Sequence, residues 1–301
     1  ALQHLRYRKQ EVRIFQVLDP EEERFAFKGM IDFHGLENER RLRLDGDRVR
    51  DAYRKTFAEH RRGLAAACHA AGLKLFIYYS QPDWHHPDFL SKDHQRYVKY
   101  LHGQMRELLS DYGRIDGLWF DNLRSVSPQT AKLWEAEKRF KMARRIQPHL
   151  VINNRCGLPG DFDTPEQHIG PVQLDRPWET RMTLGTQWAW KPNDHLKSYK
   201  QAIKMLVVSA SGDGNLALNT GPMPNGRIEP RQAKRFREIG RWLEQYGQSI
   251  YATRGGPFWG LGCVSTRRES TGYVHVLNWY DDLGALPPTG KEIVSPEGLT
   301  G

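Results

Sequence analysis

The stretch Gly117-Leu-Trp-Phe-Asp-Asn122 decides how the rest of the chain is interpreted. Residues 115–120 form a short apolar run that follows Gly113 and precedes a polar segment, which is typical of a buried strand. Asp121 comes directly after this run. A carboxylate at the end of a core strand is costly to bury without a partner or a task, so we predict a functional role for Asp121. The alternative is an aspartate that caps the next loop.

Helical and strand patterns alternate on both sides of this stretch. In chain order, the predicted elements are helix 57–71, strand 73–79, helix 92–112, strand 115–120, helix 129–145, strand 150–153, helix 196–209, strand 215–219 and helix 231–246. Such alternation implies a parallel sheet with helices outside it, and right-handed crossovers favour a closed barrel. We therefore predict the α/β class and a (β/α)8-like TIM barrel.

The two ends of the chain differ from this central region. Residues 1–56 are rich in Arg and Glu and contain only two strand-like segments, 12–18 and 25–33. Residues 249–301 are rich in glycine and contain short β-like pieces, which indicate the start of a separate β domain. The predicted division is an atypical segment 1–56, a barrel 57–248 and a partial β domain 249–301.

The composition narrows the class of partner. The chain has 301 residues and a formal charge of +9, but its Lys and Arg residues are scattered. Because no basic stripe with interleaved aromatics occurs, we expect no nucleic-acid partner. The three cysteines, Cys68, Cys156 and Cys263, lie far apart and predict neither a zinc site nor a disulfide framework. We expect no metal and no cofactor.

No segment of the sequence predicts membrane insertion. No apolar run approaches about 18 residues, and the first residues lack the apolar core of a signal peptide. We therefore expect a soluble protein without a membrane partner. The chain does not begin with Met, so a removed leader is compatible with it. Neither the compartment nor the oligomeric state is predicted.

Aromatic, carboxylate and amide side chains follow the predicted strands, where functional groups of a barrel meet. They are Tyr78, Tyr79, Trp84, His85, His86, Trp119, Asp121, Asn153, Asn154, Arg155, Glu166, Trp178 and Glu179. Without a glycine-rich phosphate loop or a His-Glu-x-x-His motif, this set favours sugar chemistry over phosphoryl or metal chemistry. Adjacent histidines on an extended segment point to opposite sides, so we expect His85 and His86 to shape a pocket rather than hold a metal.

Trp119 and Asp121 are two residues apart, which places them on the same face of a strand. The indole would then form the floor of a pocket whose wall carries the carboxylate. Glycoside hydrolysis needs a second carboxyl group, about 5 to 5.5 Å from the first for retention and clearly farther for inversion. The sequence offers Glu179 and Glu166 as candidates.

Taken in order, several motifs between residues 57 and 279 resemble those of glycoside hydrolase family 29, the α-L-fucosidases. They are Gly72-Leu-Lys-Leu-Phe-Ile-Tyr-Tyr-Ser80, Trp84-His-His-Pro87, Leu118-Trp-Phe-Asp121, Asn153-Asn-Arg155, Gly160-Asp-Phe-Asp-Thr-Pro-Glu-Gln167, Trp178-Glu-Thr180 and Leu218-Asn-Thr-Gly-Pro-Met-Pro-Asn-Gly226. The resemblance implies a (β/α)8-like barrel followed by a β-sandwich. It also implies hydrolysis of terminal α-L-fucosyl residues with retention, and a fucosylated glycan or oligosaccharide as partner.

The resemblance also implies roles for individual residues. Asp121 matches the family nucleophile, and Glu179 is the preferred acid/base, with Glu166 as the alternative. Arg155 would keep Asp121 ionised, because an opposite charge nearby favours the carboxylate. The sugar would contact Trp119, Tyr78 or Tyr79, and Trp188 or Trp190, and we count Trp84, His85 and His86 among the substrate-binding candidates.

Residues 1–56 depart from the family pattern. They lack the His-Trp-Gly and Lys-His-His-Asp-Gly motifs, and His34 is the nearest substitute. Truncation with foreign sequence in front, a disrupted reading frame and divergence all fit, and in the first two cases the barrel lacks its first two strands. Asn122 stands where the family commonly has Gly. An inactive remnant that binds fucose-like sugars, and a retaining glycosidase of other specificity, therefore remain alternative functions.

Overall fold

A computed structural model of the chain describes residues 25–34, 41–123, 126–260 and 262–278. The chain divides into two compact units, which comprise residues 1–161 (unit 1) and residues 162–301 (unit 2). The sequence-based division at residues 56 and 248 stays a prediction. The strand-like segment 12–18 lies outside the described residues.

Unit 1 contains the strand that the sequence analysis started from. Its elements are β1 (Met30–His34), β2 (Arg41–Asp45), α1 (Gly46–Ala70), β3 (Phe76–Ser80), α2 (His94–Asp111), β4 (Gly117–Asp121), α3 (Pro128–Leu133), α4 (Ala136–Ile146) and β5 (Val151–Ile152). Strands β1 and β2 form an antiparallel pair, and β3, β4 and β5 form a parallel sheet with β4 in the middle. The predicted alternation of strands and helices around β4 is confirmed.

Strand β4 is buried because apolar side chains pack on both of its faces. Leu118 and Phe120 are fully buried in an apolar core that includes Leu101 and Met105 of α2. Trp119, on the other face of the strand, is also buried. Strand β4 therefore holds the backbone of Asp121 rigidly at its carboxyl end.

Element boundaries in unit 1 differ from the prediction in two places. Helix α1 begins at Gly46 rather than at residue 57, with the Asp45 side chain accepting a hydrogen bond from the Asp47 amide at the N-cap. Its first turns are highly charged, so the apolar pattern did not reveal them. The predicted helix 129–145 is two helices, α3 and α4, because Glu135 adopts a left-handed conformation with φ of 47°.

A buried carboxylate, Asp116, anchors the loop that enters β4. Its side chain is only 5% exposed and lies 2.9 Å from the Leu75 amide, the His69 ring and the Arg114 guanidinium. Burial raises the pKa of this carboxyl, but the hydrogen bonds from Leu75, His69 and Arg114 outweigh burial and lower the pKa from 3.8 to about 2.

We expect the wild-type chain to lose stability relative to Asp116→Asn as the pH falls from 5 to 3. Because the folded-state pKa is depressed, the stabilisation is fully present above the unfolded pKa and is lost as the pH falls toward 2. The ionised Asp116 carboxyl contributes about 2 kcal/mol to the free energy of unfolding above pH 5, and roughly half of this contribution is lost by pH 3. Urea denaturation of both proteins across this range measures the difference. A difference that stays constant with pH would contradict the prediction.

Unit 2 contains both parallel and antiparallel strands. Its elements are β6 (Glu179–Thr183), α5 (Tyr199–Ser211), β7 (Asn215–Asn219), α6 (Pro230–Tyr246), β8 (Arg254–Gly260), β9 (Cys263–Arg268) and β10 (Thr271–Val276). Strands β6 and β7 pair in parallel, and β8, β9 and β10 form an antiparallel sheet. The α/β class is confirmed by the parallel pairs of both units, while closure into an eight-stranded barrel stays a prediction.

Strand β6 was missed in the sequence, for which we predicted no element between residues 153 and 196. The segment Glu-Thr-Arg-Met-Thr carries only one apolar residue, so it has no strand-like pattern. Thr180 and Thr183 are nevertheless buried, because their hydroxyls donate hydrogen bonds to the backbone carbonyls of His168 and Gly185. Local hydrogen bonding, which no periodicity reveals, makes this polar strand compatible with the core.

Candidate active site

Asp121 occupies the carboxyl end of β4 with two donors on its carboxylate. The Arg155 Nη1 atom lies 3.0 Å from Oδ1, and the Tyr78 hydroxyl donates to Oδ2 over 2.7 Å. The Asp121 side chain is 15% exposed, so it is accessible without being fully solvated. Both oxygens are thus oriented, one by Tyr78 of β3 and the other by Arg155, which follows β5.

An aromatic surface lies beside this carboxylate. Tyr78 and Trp119 face each other in the β3–β4 register, and their rings stack with centroids 5.7 Å apart and an interplanar angle of 11°. The Arg155 guanidinium carbon lies 5.1 Å from the centre of the Trp119 ring. Trp119 is buried and Tyr78 is 41% exposed, so the tyrosine presents the accessible part of this surface. An aromatic surface beside a carboxylate is the arrangement expected around a bound sugar ring.

Asn122, the residue after the carboxylate, has a left-handed backbone with φ of 68°. Glycine adopts this conformation without strain, and asparagine tolerates it better than most other residues. The Asn122 amide also donates to the Ser80 hydroxyl over 2.9 Å and contacts the Tyr78 hydroxyl at 3.4 Å. The departure from the glycine of the family pattern therefore keeps the turn and adds hydrogen bonds beside Asp121.

Tyr79 lies on the opposite face of β3 from Tyr78. Its hydroxyl donates to Gln104 Oε1 of α2 over 2.7 Å, and its ring meets the edge of Phe120. Burial raises the pKa of the Tyr79 phenol well above its ordinary value. Of the two tyrosines named as alternatives from the sequence, the structure brings Tyr78 to Asp121 and directs Tyr79 toward α2.

Trp84, His85 and His86 lie in the loop before α2. The His86 ring lies 4.8 Å from the Tyr100 ring of α2 and accepts a hydrogen bond from the Asp88 amide. The His85 amide bonds the Asp83 side chain. Trp84 is 60% exposed and contacts the edge of Phe89. The substrate-binding role of these three residues stays a prediction. They contact helix α2 and other residues of the loop that precedes it.

Glu179 lies at the amino end of β6 in unit 2. It is opposite Asn215, the first residue of β7, and its amide donates to the Asp163 carbonyl over 2.9 Å. The residue is only 9% exposed. The preceding Trp178 is fully buried, with Nε1 donating to the Gly212 carbonyl over 3.0 Å. Functional groups of parallel α/β folds gather at the carboxyl ends of strands. The amino end of β6, where Glu179 lies, is therefore not where a catalytic group is expected.

Glu166, unlike Glu179, lies at the carboxyl end of its segment. Residues 163–166 run parallel to 178–181, with bridges from Asp163 to Trp178 and from Glu166 to Arg181. Glu166 is therefore at the carboxyl end of a parallel segment, and the next residue, Gln167, turns the chain with a left-handed φ of 57°. Asp121 and Asn122 show the same arrangement in unit 1.

Arg181 connects Glu166 with the aromatic residues after β6. It pairs with the Glu166 carboxylate at 2.5 Å, and its guanidinium carbon lies 5.7 Å from the centre of the Trp188 ring. The Trp188 carbonyl accepts a hydrogen bond from Asn219, the last residue of β7. Sequence reasoning missed Arg181 because β6 itself was not predicted.

Trp190 packs its backbone against Gly221, where an added Cβ would lie 2.3 Å from the Trp190 nitrogen.

Two wider properties follow from the described part of the chain. No group of three or more His, Cys, Asp or Glu side chains among the described residues is arranged to hold a metal ion. None of the helices described above is long and apolar enough to cross a membrane.

The chain is similar to known alpha-L-fucosidases in sequence. A family model described as alpha-L-fucosidase matches residues 58–248. The alpha-L-fucosidase of Branchiostoma floridae is 29% identical over 233 residues, which are 69% of this chain and 50% of that protein. The plasma alpha-L-fucosidase of Homo sapiens is 28% identical over 200 residues, which are 60% of this chain and 42% of that protein. The chain thus spans about half the length of the curated relatives it matches.

Solved structures show the same similarity. Alpha-L-fucosidase isoenzyme 1 from Paenibacillus thiaminolyticus is 33% identical with a TM-score of 0.62, over 71% of this chain and 59% of that one. An alpha-L-fucosidase from Bacteroides thetaiotaomicron, solved as a trapped covalent intermediate with 2-fluoro-fucosyl fluoride, is 25% identical with a TM-score of 0.57, over 68% of this chain and 54% of that one. Since the family model also matches well over half of its residues, the chain belongs to the alpha-L-fucosidase family.

Proposed function

We propose that this chain is a retaining exo-glycosidase that removes terminal α-L-fucosyl residues from fucosylated glycans. The observation that carries the proposal is the Asp121 carboxylate at the end of β4, held by Arg155 and Tyr78 beside the stacked Tyr78 and Trp119 rings. The family membership supports fucose as the sugar. We also propose that the parallel strands belong to a (β/α)8-like barrel of the kind that fucosidases of this family contain.

In the first step, Asp121 acts as the nucleophile. One carboxylate oxygen attacks the anomeric carbon while the bond from that carbon to the glycosidic oxygen breaks. A carboxylic acid transfers its proton to the departing oxygen, so the aglycone leaves as a neutral alcohol. The covalent intermediate trapped in the Bacteroides relative supports an ester of this kind.

In the second step, water releases the sugar. The carboxylate that lost its proton now accepts one from water, whose oxygen attacks the anomeric carbon and displaces Asp121. The proton donor and Asp121 both return to their starting states. Two displacements at one carbon give net retention of configuration.

We propose Glu166 rather than Glu179 as the proton donor and acceptor of unit 2. Glu166 ends a parallel segment, as Asp121 does, whereas Glu179 begins β6 and is largely buried. This reverses the preference derived from the motif, because the motif does not reveal which end of a strand the glutamate occupies. Arg181, bonded to Glu166, would orient its carboxyl group.

Arg155 and Tyr78 have a positioning and electrostatic role in this mechanism. Each donates to a different oxygen of Asp121, so the carboxylate has a fixed plane before the sugar arrives. A fixed nucleophile reduces the reorganisation needed in the transition state. The Tyr78 and Trp119 rings supply an apolar surface for the C6 methyl group of fucose.

The proposal is tested by hydrolysis of 4-nitrophenyl α-L-fucoside, with the corresponding galactoside and glucoside as controls. We expect 4-nitrophenol from the fucoside alone, and proton NMR should show the α-anomer of fucose as the first product. Hydrolysis of a control glycoside with the fucoside untouched would indicate another specificity. Fucose binding without hydrolysis of any substrate would indicate a non-catalytic sugar-binding protein.

We expect Tyr78→Phe to lower kcat on this fucoside by about 10- to 100-fold, since hydrogen bonds to charged groups contribute about 1.5 to 3 kcal/mol. The phenyl ring still stacks on Trp119, so KM should change little. Tyr79→Phe is the matched control, because it removes a hydroxyl from the opposite face of the same strand, where it bonds Gln104. Equal losses in the two variants would show that the Tyr78 hydroxyl has no specific role.

A further inference from the structure

Gln81 follows β3 directly and is completely buried. A single glutamine between Ser80 and Pro82 belongs to no motif, so the sequence predicts no role for it. Buried carboxamides have up to four hydrogen-bonding positions to satisfy, so the partners of this side chain show what it holds in place.

The donors of Gln81 converge on the backbone of the candidate active site. The backbone nitrogen of Gln81 donates to the Asp121 carbonyl over 3.2 Å. Its side-chain Nε2 donates to the same carbonyl over 3.3 Å and to the Arg155 carbonyl over 3.1 Å. Gln81 thus joins the two residues whose side chains form the 3.0 Å ion pair.

The side-chain oxygen of Gln81 accepts a hydrogen bond from a buried cation. Arg139 of α4 is fully buried, and its Nη2 donates to Gln81 Oε1 over 2.6 Å. The Arg139 guanidinium also lies 4.9 Å from the centre of the Phe120 ring. Because an arginine can only donate, Oε1 must face Arg139 and Nε2 must face the two carbonyls. The Tyr97 hydroxyl donates to the Gln81 backbone carbonyl and fixes the residue from a third side.

We propose that Gln81, oriented by Arg139, is a positioning residue that sets the spacing of the nucleophile Asp121 and its partner Arg155. This inference rests on the proposed function, since it concerns the same site. Loss of the Nε2 donor would release the Asp121 and Arg155 carbonyls from the one side chain that joins them. Displacements of about 1 Å at a nucleophile can lower the rate by about 100-fold.

Gln147 provides a matched control in the same unit. Its side chain is also buried, and Nε2 donates to the Leu109 and Gly113 carbonyls over 2.7 and 3.0 Å. Its Oε1 accepts from the Ile115 amide over 2.8 Å. Gln147 therefore makes the same number of side-chain bonds to backbone carbonyls, but at the amino end of β4, away from Asp121.

The test compares Gln81→Met with Gln147→Met, which replace each carboxamide by an apolar side chain of similar length. We expect both variants to lose thermal stability to a similar extent. Only Gln81→Met should lower kcat on 4-nitrophenyl α-L-fucoside, by about 10- to 100-fold, with KM changed less than about twofold. Equal kcat values for the two variants would overturn the proposal, because they would show a purely structural role.

Gln81→Glu decides the question if the methionine variant does not fold. The carboxylate keeps the bond to Arg139 but cannot donate to the two carbonyls. We expect a loss of kcat similar to that of Gln81→Met, and wild-type kcat would overturn the proposal.

A crystal structure of Gln81→Glu separates this inference from the proposed function. If the wild-type chain does not hydrolyse the fucoside, the proposed function fails, but the distance from Arg155 Nη1 to Asp121 Oδ1 still tests the positioning role. A pair that has separated relative to wild type and to Gln147→Met supports the role. A pair that is retained at about 3.0 Å overturns it.

Discussion

Asp121→Ala should lower kcat on 4-nitrophenyl α-L-fucoside by roughly 10⁴-fold or more, because removal of a catalytic nucleophile eliminates the covalent route. Sodium azide should restore part of the rate. The cavity left by the carboxylate admits the small anion, which attacks the anomeric carbon directly. A single displacement inverts the configuration, so the product should be β-L-fucosyl azide, identified by NMR.

Asp93→Ala is the control for this experiment. Asp93 occupies the N-cap of α2 but makes no side-chain capping bond, so its loss should leave both stability and kcat close to wild type. Fucosyl azide of α-configuration, or an Asp121→Ala protein with more than about one tenth of the wild-type kcat, would show that Asp121 is not the nucleophile.

Glu166→Ala should lower kcat by about 10²- to 10⁴-fold on fucosides whose leaving group needs protonation. With 2,4-dinitrophenyl α-L-fucoside the first step needs no acid, so its rate should stay near that of the wild type. The alkaline limb of the pH–rate profile, which reports loss of the acid's proton, should disappear. Azide should accelerate release of the sugar as α-L-fucosyl azide, since it then attacks the covalent intermediate.

Glu179→Ala is the matched comparison and decides between the two glutamates. Glu179 is largely buried at the amino end of β6, so its loss should reduce stability without these kinetic signatures. If Glu179→Ala shows the leaving-group dependence and the azide product while Glu166→Ala does not, the assignment by strand polarity is wrong and the motif-based preference for Glu179 is right.

The sequence predicts the structure best in unit 1. The apolar run before Asp121 predicted β4, and a period of two placed Trp119 on the face of the carboxylate, which agrees with the stacked Tyr78 and Trp119 rings. These are local properties, since strand periodicity depends only on neighbouring residues. The start of α1 and the break at Glu135 were both missed, because the charged first turns of α1 and the left-handed Glu135 leave no mark on the apolar pattern.

In unit 2, the sequence named two glutamates and preferred Glu179 over Glu166 on the motif alone. Strand β6 has a polar sequence, and its burial depends on threonine hydroxyls that bond backbone carbonyls two and twelve residues away. Without the strand, the end at which Glu179 stands is undefined. No role was predicted for Arg181, the partner of Glu166, for the same reason.

The amino-acid sequence is sufficient to identify the alternation of strands and helices, the carboxylate at the end of β4 and the motifs of the family, because each depends on residue types at short spacing. Only the folded structure decides which side chains meet. It pairs Asp121 with Arg155 and Tyr78, turns Tyr79 away, and brings Gln81 and Arg139 beneath the site. Those contacts join residues up to 74 positions apart, and hydrogen-bond geometry at such separations is set by packing of the core rather than by sequence pattern.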